Sequence, residues 1–235
     1  MWLPLVPIGI VVPLVMLEPD FGTGLFLLLG SLLALFVRGW PLRNFALVCG
    51  AVLPLVLFVG VYKPYQLRRI TGFVAAWTDL NQAPYQLQQS LATMGAGGLT
   101  GTGLGRGWQK LSYLPEANTD FVFAVIGEEL GLFGTCAIVG LWLGMFVIGR
   151  KMLARGADSE FSFALGITLL VQIVMQAAVN MAVVTALVPP KGISHPLVSR
   201  GGSNLLVNLL ALGILLSLSR YPQTVAQEPV AAEQG

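Results

Sequence analysis

Six apolar runs, near residues 2–17, 22–37, 45–61, 121–149, 162–188 and 204–219, limit this chain to one kind of fold. A helix needs about 20 apolar residues to cross a hydrocarbon core, with about 17 to 25 usual. The run at 121–149 exceeds that length; the first, second and last sit at its lower edge. Inside a bilayer every backbone polar group must be satisfied internally, which leaves helices or closed barrels. Continuous apolar runs of this length predict helices. The fold class expected is therefore all-α: a polytopic integral membrane bundle of about six spans. Charge content agrees, since 10% of residues are charged against about a quarter in soluble domains. The first run holds Pro4, Pro7 and Pro13, which are tolerated where neighbouring helices re-satisfy the backbone. It lacks a basic leader and a clear small-residue cleavage site, so it reads as a span rather than a signal peptide.

The links between runs set the expected orientation. Arg38 and Arg43 lie in the second link, Arg150, Lys151 and Arg155 follow the fourth run, and Arg220 follows the last. These alternate segments fall on one side, the cytoplasm, by the positive-inside rule. Lys191 and Arg200 in an outer link are a mild exception. Both chain ends are then cytoplasmic. The segment 62–119 is outside and too long for a plain connector; long loops usually carry function. Within it, Tyr85, Leu87, Leu91 and Met94 have helical spacing, which fits either a helix lying on the bilayer or one packed over the bundle. Residues 1–221 form the membrane domain. The tail 222–235 is polar without apolar periodicity and reads as disordered.

Several functions are excluded. No basic run or face exists for nucleic acid. His195 is the single histidine, so multi-histidine zinc sites are out. The glycines from Gly95 to Gly107 are not followed by Gly-Lys-Ser/Thr, so they form no phosphate loop. Cys49 and Cys136 each lie inside apolar surroundings and read as small packing residues.

The acids are more informative. Glu116 and Asp120 lie in a polar link that runs straight into the fourth span, which carries Glu128 and Glu129. A carboxylate at membrane depth costs about 2.5 kcal/mol or more, so such residues are rarely incidental. Asp120 is either a functional acid or a helix N-cap, shared with Thr119 or Asn118. The helix dipole would lower its pKa and burial would raise it. In a helical segment, Glu116 and Asp120 share a face at i and i+4. Together they could hold a divalent cation, Mg²⁺ being suited to hard oxygen ligands. Glu128, about 12 Å deeper at 1.5 Å per residue, reads as a helix–helix contact. Ser199, Gly201, Gly202 and Ser203 are either an anion site at a helix start or ordinary turn chemistry. Glu18 and Asp20 with Gly22 read as a tight hairpin.

Four separated blocks resemble the SEDS family (shape, elongation, division and sporulation) of polytopic peptidoglycan polymerases. They are Glu18-Pro-Asp-Phe-Gly-Thr23, Pro64-Tyr-Gln-Leu-Arg-Arg-Ile-Thr71, Gln109 to Phe121 with Glu128-Glu-Leu-Gly131, and Pro189-Pro-Lys-Gly-Ile193 with Ser199-Arg-Gly-Gly-Ser203. The details resemble the division and sporulation members more than the elongation member. The chain departs from the family pattern at Asn118, Arg200 and Asn204, where His, Tyr and Ser are usual, and its spans match only the closing part of that pattern.

The resemblance implies glycan-strand polymerisation from lipid II at the outer face of the bacterial cytoplasmic membrane, in division or cell-shape maintenance. It implies Asp120 as the catalytic acid or base. Pyrophosphate contacts would come from Lys191, which lies in the matching Lys-Gly block, and from Arg68, Arg69, Lys110 or Arg200. Ser199, Gly201, Gly202, Ser203 and Glu116 would be further substrate contacts, with Mg²⁺ on Asp120 and Glu116. The implied partners are a class B penicillin-binding protein and other division or elongation membrane proteins. A lipid II transporter and a non-catalytic scaffold are the competing functions. Transport would spread charge through the bilayer, whereas these acids cluster at one face.

Overall fold

The computed structural model describes residues 5–17, 21–50, 54, 64–107 and 115–220, and the regular elements among them are all helical. In chain order they are α1 (Leu5–Leu17), α2 (Phe21–Val37), α3 (42–50), α4 (Pro64–Ala75), α5 (Tyr85–Gly97), α6 (Val122–Gly156), α7 (Glu160–Val184) and α8 (Gly202–Leu218). A 3-10 turn at Leu80–Gln82 lies between α4 and α5. The α6 and α7 helices are long and apolar enough to cross a membrane; α1, α2 and α8 are shorter apolar helices. Glu18, Asp20, Lys110 and the tail 222–235 lie outside the described residues, as does the side chain of Arg68.

The bundle is organised on the α6–α7 pair. A sharp turn joins them: Ser159 caps α7, its hydroxyl accepting from the Ser162 amide at 3.1 Å. Glu160 in the first turn suits the positive end of the helix dipole. Glycines set the close approach. A Cβ on Gly166 would come within 2.4 Å of Leu153, and one on Gly149 within 2.9 Å of Leu170, so each helix seats a leucine on the other's glycine. Three apolar clusters then stack along the pair. One holds Phe121, Phe123, Ala124, Val183 and Val184; a middle one holds Trp142, Ile173 and Ala177; the last holds Leu153, Ile167, Leu170 and Leu215. On the flanks, α2 and α8 pack against α7, and α1 against α2.

The fourth run forms a helix with a break. Gly131 has φ 65° and ψ −163° inside α6. The freed backbone groups are taken up by the glycine-rich segment after α5. Thr102 and Gly103 amides donate to the carbonyls of Glu128 and Glu129, at 2.9 and 3.0 Å, while the Leu132 and Phe133 amides donate to Gly98 and Leu99, at 3.0 and 3.2 Å. Non-helical backbone is tolerated at membrane depth where protein satisfies it in this way. The dense glycines of 95–107 serve this docking.

Of the two readings for the segment at Tyr85, the structure supports packing. α5 lies on α6 and touches α7. Its buried face is Leu87 with the small residues Ser90, Thr93 and Gly97, while Leu91 and Met94 are half-buried and Tyr85 is exposed. Small residues win because the backbones nearly touch: a Cβ on Gly97 would sit 1.9 Å from the Gly127 carbonyl. The Ser90 hydroxyl donates to the Val184 carbonyl at 2.9 Å. The helix expected to run to 188 ends at Val184, where Ala186 at φ 58° starts a reversal closed by the Leu187 amide on the Ala182 carbonyl.

Exposed Asn81 precedes α6 and exposed Arg155 lies in its last turn, so one spanning helix separates them. With Cys49 and Cys136 changed to serine, Asn81→Cys and Arg155→Cys should react with an impermeant maleimide from opposite sides, Asn81→Cys from outside. Labelling of both from one side would overturn this topology.

Candidate active site

The link 115–121 is a turn, not the helix that would place Glu116 and Asp120 at i and i+4. Glu116 has φ 52°, and its carbonyl accepts from the amides of Thr119, Asp120 and Phe121 at 3.1, 3.1 and 3.2 Å. The turn folds back on one oxygen, which still brings the two acids close.

The outward carbonyls of this turn are held one by one. Asn118 O accepts from the Arg200 amide at 2.8 Å, Thr119 O from the Ser199 hydroxyl, and Asp120 O from the Asn180 side-chain amide at 2.7 Å. Three consecutive carbonyls are thus gripped by donors from α7 and from the link 185–201. Among the described residues, the non-glycine positions with positive φ are Glu116, Ala186 and Leu197, and all three lie in the two links that meet here. Backbone strain of this kind costs about 1–3 kcal/mol per residue and gathers at functional sites.

Asp120 is fixed by its backbone while its carboxylate does no capping. The residue before α6 is Phe121, with no side-chain cap bond. The capping interpretation of Asp120 therefore does not match the geometry. Its carboxyl is half-buried beside Gly192, where a Cβ would lie 2.9 Å from Oδ2. Burial first, then the nearby Glu116 charge, raises its pKa above the ordinary 3.8. Of the two opposed influences expected on this group, burial prevails. Glu116 is exposed, and its Oε2 accepts from the Thr119 hydroxyl at 2.8 Å. Among the described residues no cluster of three or more acids, histidines or cysteines is placed to hold a metal.

The other expected residues divide. Lys191 lies across the start of α2, where a Cβ on Gly22 would meet its Cδ at 2.7 Å and its Nζ at 3.2 Å. It is next to Gly192 and so on the same rim as Asp120. Arg200 joins through its amide, with its side chain exposed. Gly201, Gly202 and Ser203 do begin α8, and Gly202 and Ser203 are exposed. Ser199 takes the turn-forming role of the two expected for it. It is 7% exposed, donates to Thr119 O and accepts from the His195 amide at 2.7 Å, so it is a buried pin. Arg69 is half-buried on α4.

Sequence reasoning missed the groups behind the turn. His195 is fully buried. Its Nε2 accepts from the Trp142 indole N–H at 2.9 Å, and its Nδ1 lies 3.0 Å from Asn180 Oδ1. Asn180 uses its other end on Asp120 O and Ile193 O, both at 2.7 Å. With the indole N–H as a donor only, the ring must be neutral and protonated on Nδ1. A tryptophan and an asparagine inside apolar helices were the available signal, since each buried N–H demands a partner.

Burial pushes the His195 imidazole from 6.5 down to about 4. The unfolded chain binds this proton near 6.5 and the fold resists it. Stability is therefore complete above about 6.5 and falls as pH drops towards 4, by roughly 3 kcal/mol in all. Thermal melts in detergent should show that decline, and His195→Gln should lack its share of it. Equal pH slopes in both proteins would remove His195 as the cause.

Comparison with known proteins places this geometry. A probable peptidoglycan glycosyltransferase FtsW of Trichlorobacter lovleyi is 42% identical over 217 residues, covering 92% of this chain and 56% of that protein. Its namesakes in Xanthomonas oryzae pv. oryzae and Coxiella burnetii are 38% and 39% identical, each over 92% of this chain and over 45% and 59% of their own lengths. The chain spans about half the length of the curated relatives it matches. A solved chain, from work on the structural coordination of polymerization and crosslinking by a peptidoglycan synthase complex, superposes with TM-score 0.72. It is 27% identical and covers 93% of this chain and 62% of that one. The sequence profile of the FtsW, RodA and SpoVE cell cycle proteins runs across residues 1–224, and this polytopic membrane protein belongs to that family.

Proposed function

We propose that the Asp120 site transfers sugars from lipid II to a growing glycan strand at the outer face of the bacterial cytoplasmic membrane, in division or cell-shape maintenance. The observation that carries this reading is an acid held by its backbone, free of capping, and shifted towards neutrality by burial. A sugar hydroxyl is a weak nucleophile, and a positioned base typically contributes about 10²–10⁴-fold. The acceptor oxygen bonds to the donor's anomeric carbon as its proton passes to the Asp120 carboxylate. The anomeric C–O bond breaks, and polyprenyl pyrophosphate departs with the electron pair. Lys191, with Arg200 and the exposed start of α8, supplies positive charge and backbone donors for that anion. Arg68, Arg69 and Lys110 are further candidates for the same task.

Asp120 and Glu116 could also hold Mg²⁺. Such ions take one or two carboxylates and complete their shell with waters and substrate phosphates, so two acids fit. The ion would neutralise charge on the leaving pyrophosphate.

Discontinuous helices also build transporter sites, and the break at Gly131 raises that alternative. Here the broken backbone is bonded to the 98–103 segment rather than offered to a ligand, which favours polymerisation. The partner this reading calls for is a class B penicillin-binding protein that cross-links the new strand.

The complete purified protein, given labelled lipid II, should yield a ladder of glycan strands on a gel. Movement of lipid II across vesicle membranes without any polymer would establish transport instead.

A further inference from the structure

The α4 helix turns its apolar side away from the protein. At about 100° per residue, Leu67, Ile70 and Val74 fall within an arc of about 60°, and Trp77 prolongs that line. Their exposures are 42%, 45%, 60% and 67%. Gly72 lies on the opposite side and is what meets the protein, a Cβ there touching the Pro84 ring at 3.4 Å. Arg69 and Ala75 lie on the less exposed faces. A helix that stands in water buries its apolar stripe and exposes its charges. This one turns its apolar stripe outward, so the stripe requires a non-aqueous cover.

Two features identify that cover as lipid. The apolar run 45–61, read from the sequence as a span, ends just before Pro64, which would tether the start of α4 at the bilayer surface. The stretch 64–78 contains Arg68 and Arg69 and no acid, and it closes on an exposed tryptophan. A tryptophan at the edge suits the headgroup layer, where this residue is enriched at both membrane interfaces. The stripe is broad enough to lie in the acyl–headgroup boundary, as amphipathic in-plane helices do.

We propose that α4 is an in-plane anchor, its Leu67, Ile70, Val74 and Trp77 stripe seated in the bilayer surface on the same face as Asp120. It holds the adjoining 3-10 turn and α5 at a set height above the membrane. This assignment does not depend on the chemistry at Asp120.

The test uses the full chain with Cys49 and Cys136 changed to serine, in nanodiscs of phosphatidylethanolamine and phosphatidylglycerol. Nitroxides are attached at Ile70→Cys and Val74→Cys, with Asn81→Cys as the water-facing reference. All three parent positions are exposed, so labelling leaves the packing intact. The ratio of oxygen to nickel-complex accessibility should be several-fold higher at 70 and 74 than at 81. A ratio equal to that at Asn81→Cys would place the stripe in water and overturn the proposal. Shielding from both oxygen and nickel would overturn it too, because the cover would then be protein.

Discussion

Polymerisation of lipid II should fall by at least about 10²-fold in Asp120→Asn, with the fold intact. The amide keeps the shape of the side chain and cannot accept the proton. Asparagine caps helices as well as aspartate does, and α6 has no side-chain cap to lose, so the loss would report the chemistry of the carboxylate rather than a lost cap. Asp120→Glu should rescue poorly, because one more methylene displaces the carboxylate from the place the held backbone gives it beside Gly192. The pH profile gives a second reading. Asp120 works as a base when ionised, and its pKa is raised, so activity should fall on the acid side at a pH above the ordinary 3.8 of an aspartate. Glu116→Gln removes the smaller of the two causes and leaves burial, so the acid limb should move only part of the way down. Near-normal product from Asp120→Asn would take this residue out of the mechanism.

What the sequence made legible is what local patterns encode. Five of the apolar runs mark helices, with α6 starting at Val122 and α8 at Gly202 but α6 running on to Gly156, seven residues past its run; most of the run 45–61 lies outside the described residues. The polar turn before α6 is visible as Pro-Glu-Ala-Asn-Thr-Asp. Contacts between distant segments are not encoded that way. Ser199 meets Thr119 across 80 residues, Asn180 meets Asp120 across 60, and Trp142 meets His195 across 53. Each residue could be flagged as polar in an apolar setting, but nothing local says which partner satisfies it. The face of α5 was legible only in part, for a related reason. Hydrophobic spacing finds Leu87, which is buried, and Met94, which packs on the core, while the close approach of two backbones adds Ser90, Thr93 and Gly97, which no apolar pattern marks. The α4 helix inverts the usual rule because lipid is the solvent it faces.

The break in α6 should be the least tolerant point of the bundle, and Gly131→Ala should prevent stable folding. The backbone at φ 65° and ψ −163° lies in a region that is essentially open to glycine alone. A Cβ there would stand 2.4 Å from the Gly101 amide nitrogen and 2.6 Å from the Leu99 carbonyl. These are backbone atoms, which cannot rotate aside as a flexible side chain can. The partner position is equally closed: a Cβ on Gly101, at φ 81°, would lie 2.2 Å from the Glu129 carbonyl oxygen. Strain alone costs about 1–3 kcal/mol. Separation of the two strands would also strand four backbone hydrogen bonds where water is scarce. Gly140 and Gly144 lie further along the same helix with open space around them, and alanine there should be neutral or slightly stabilising. The segment above the break, Val122–Leu130, is held to α5 through Gly97 and Gly127 and leads directly from Asp120. Any Gly131→Ala protein that does accumulate should therefore also polymerise poorly. Melting temperatures in detergent for the three alanine variants, read beside lipid II turnover, separate the cases. Wild-type stability in Gly131→Ala would mean that the 98–103 segment does not lock the broken helix.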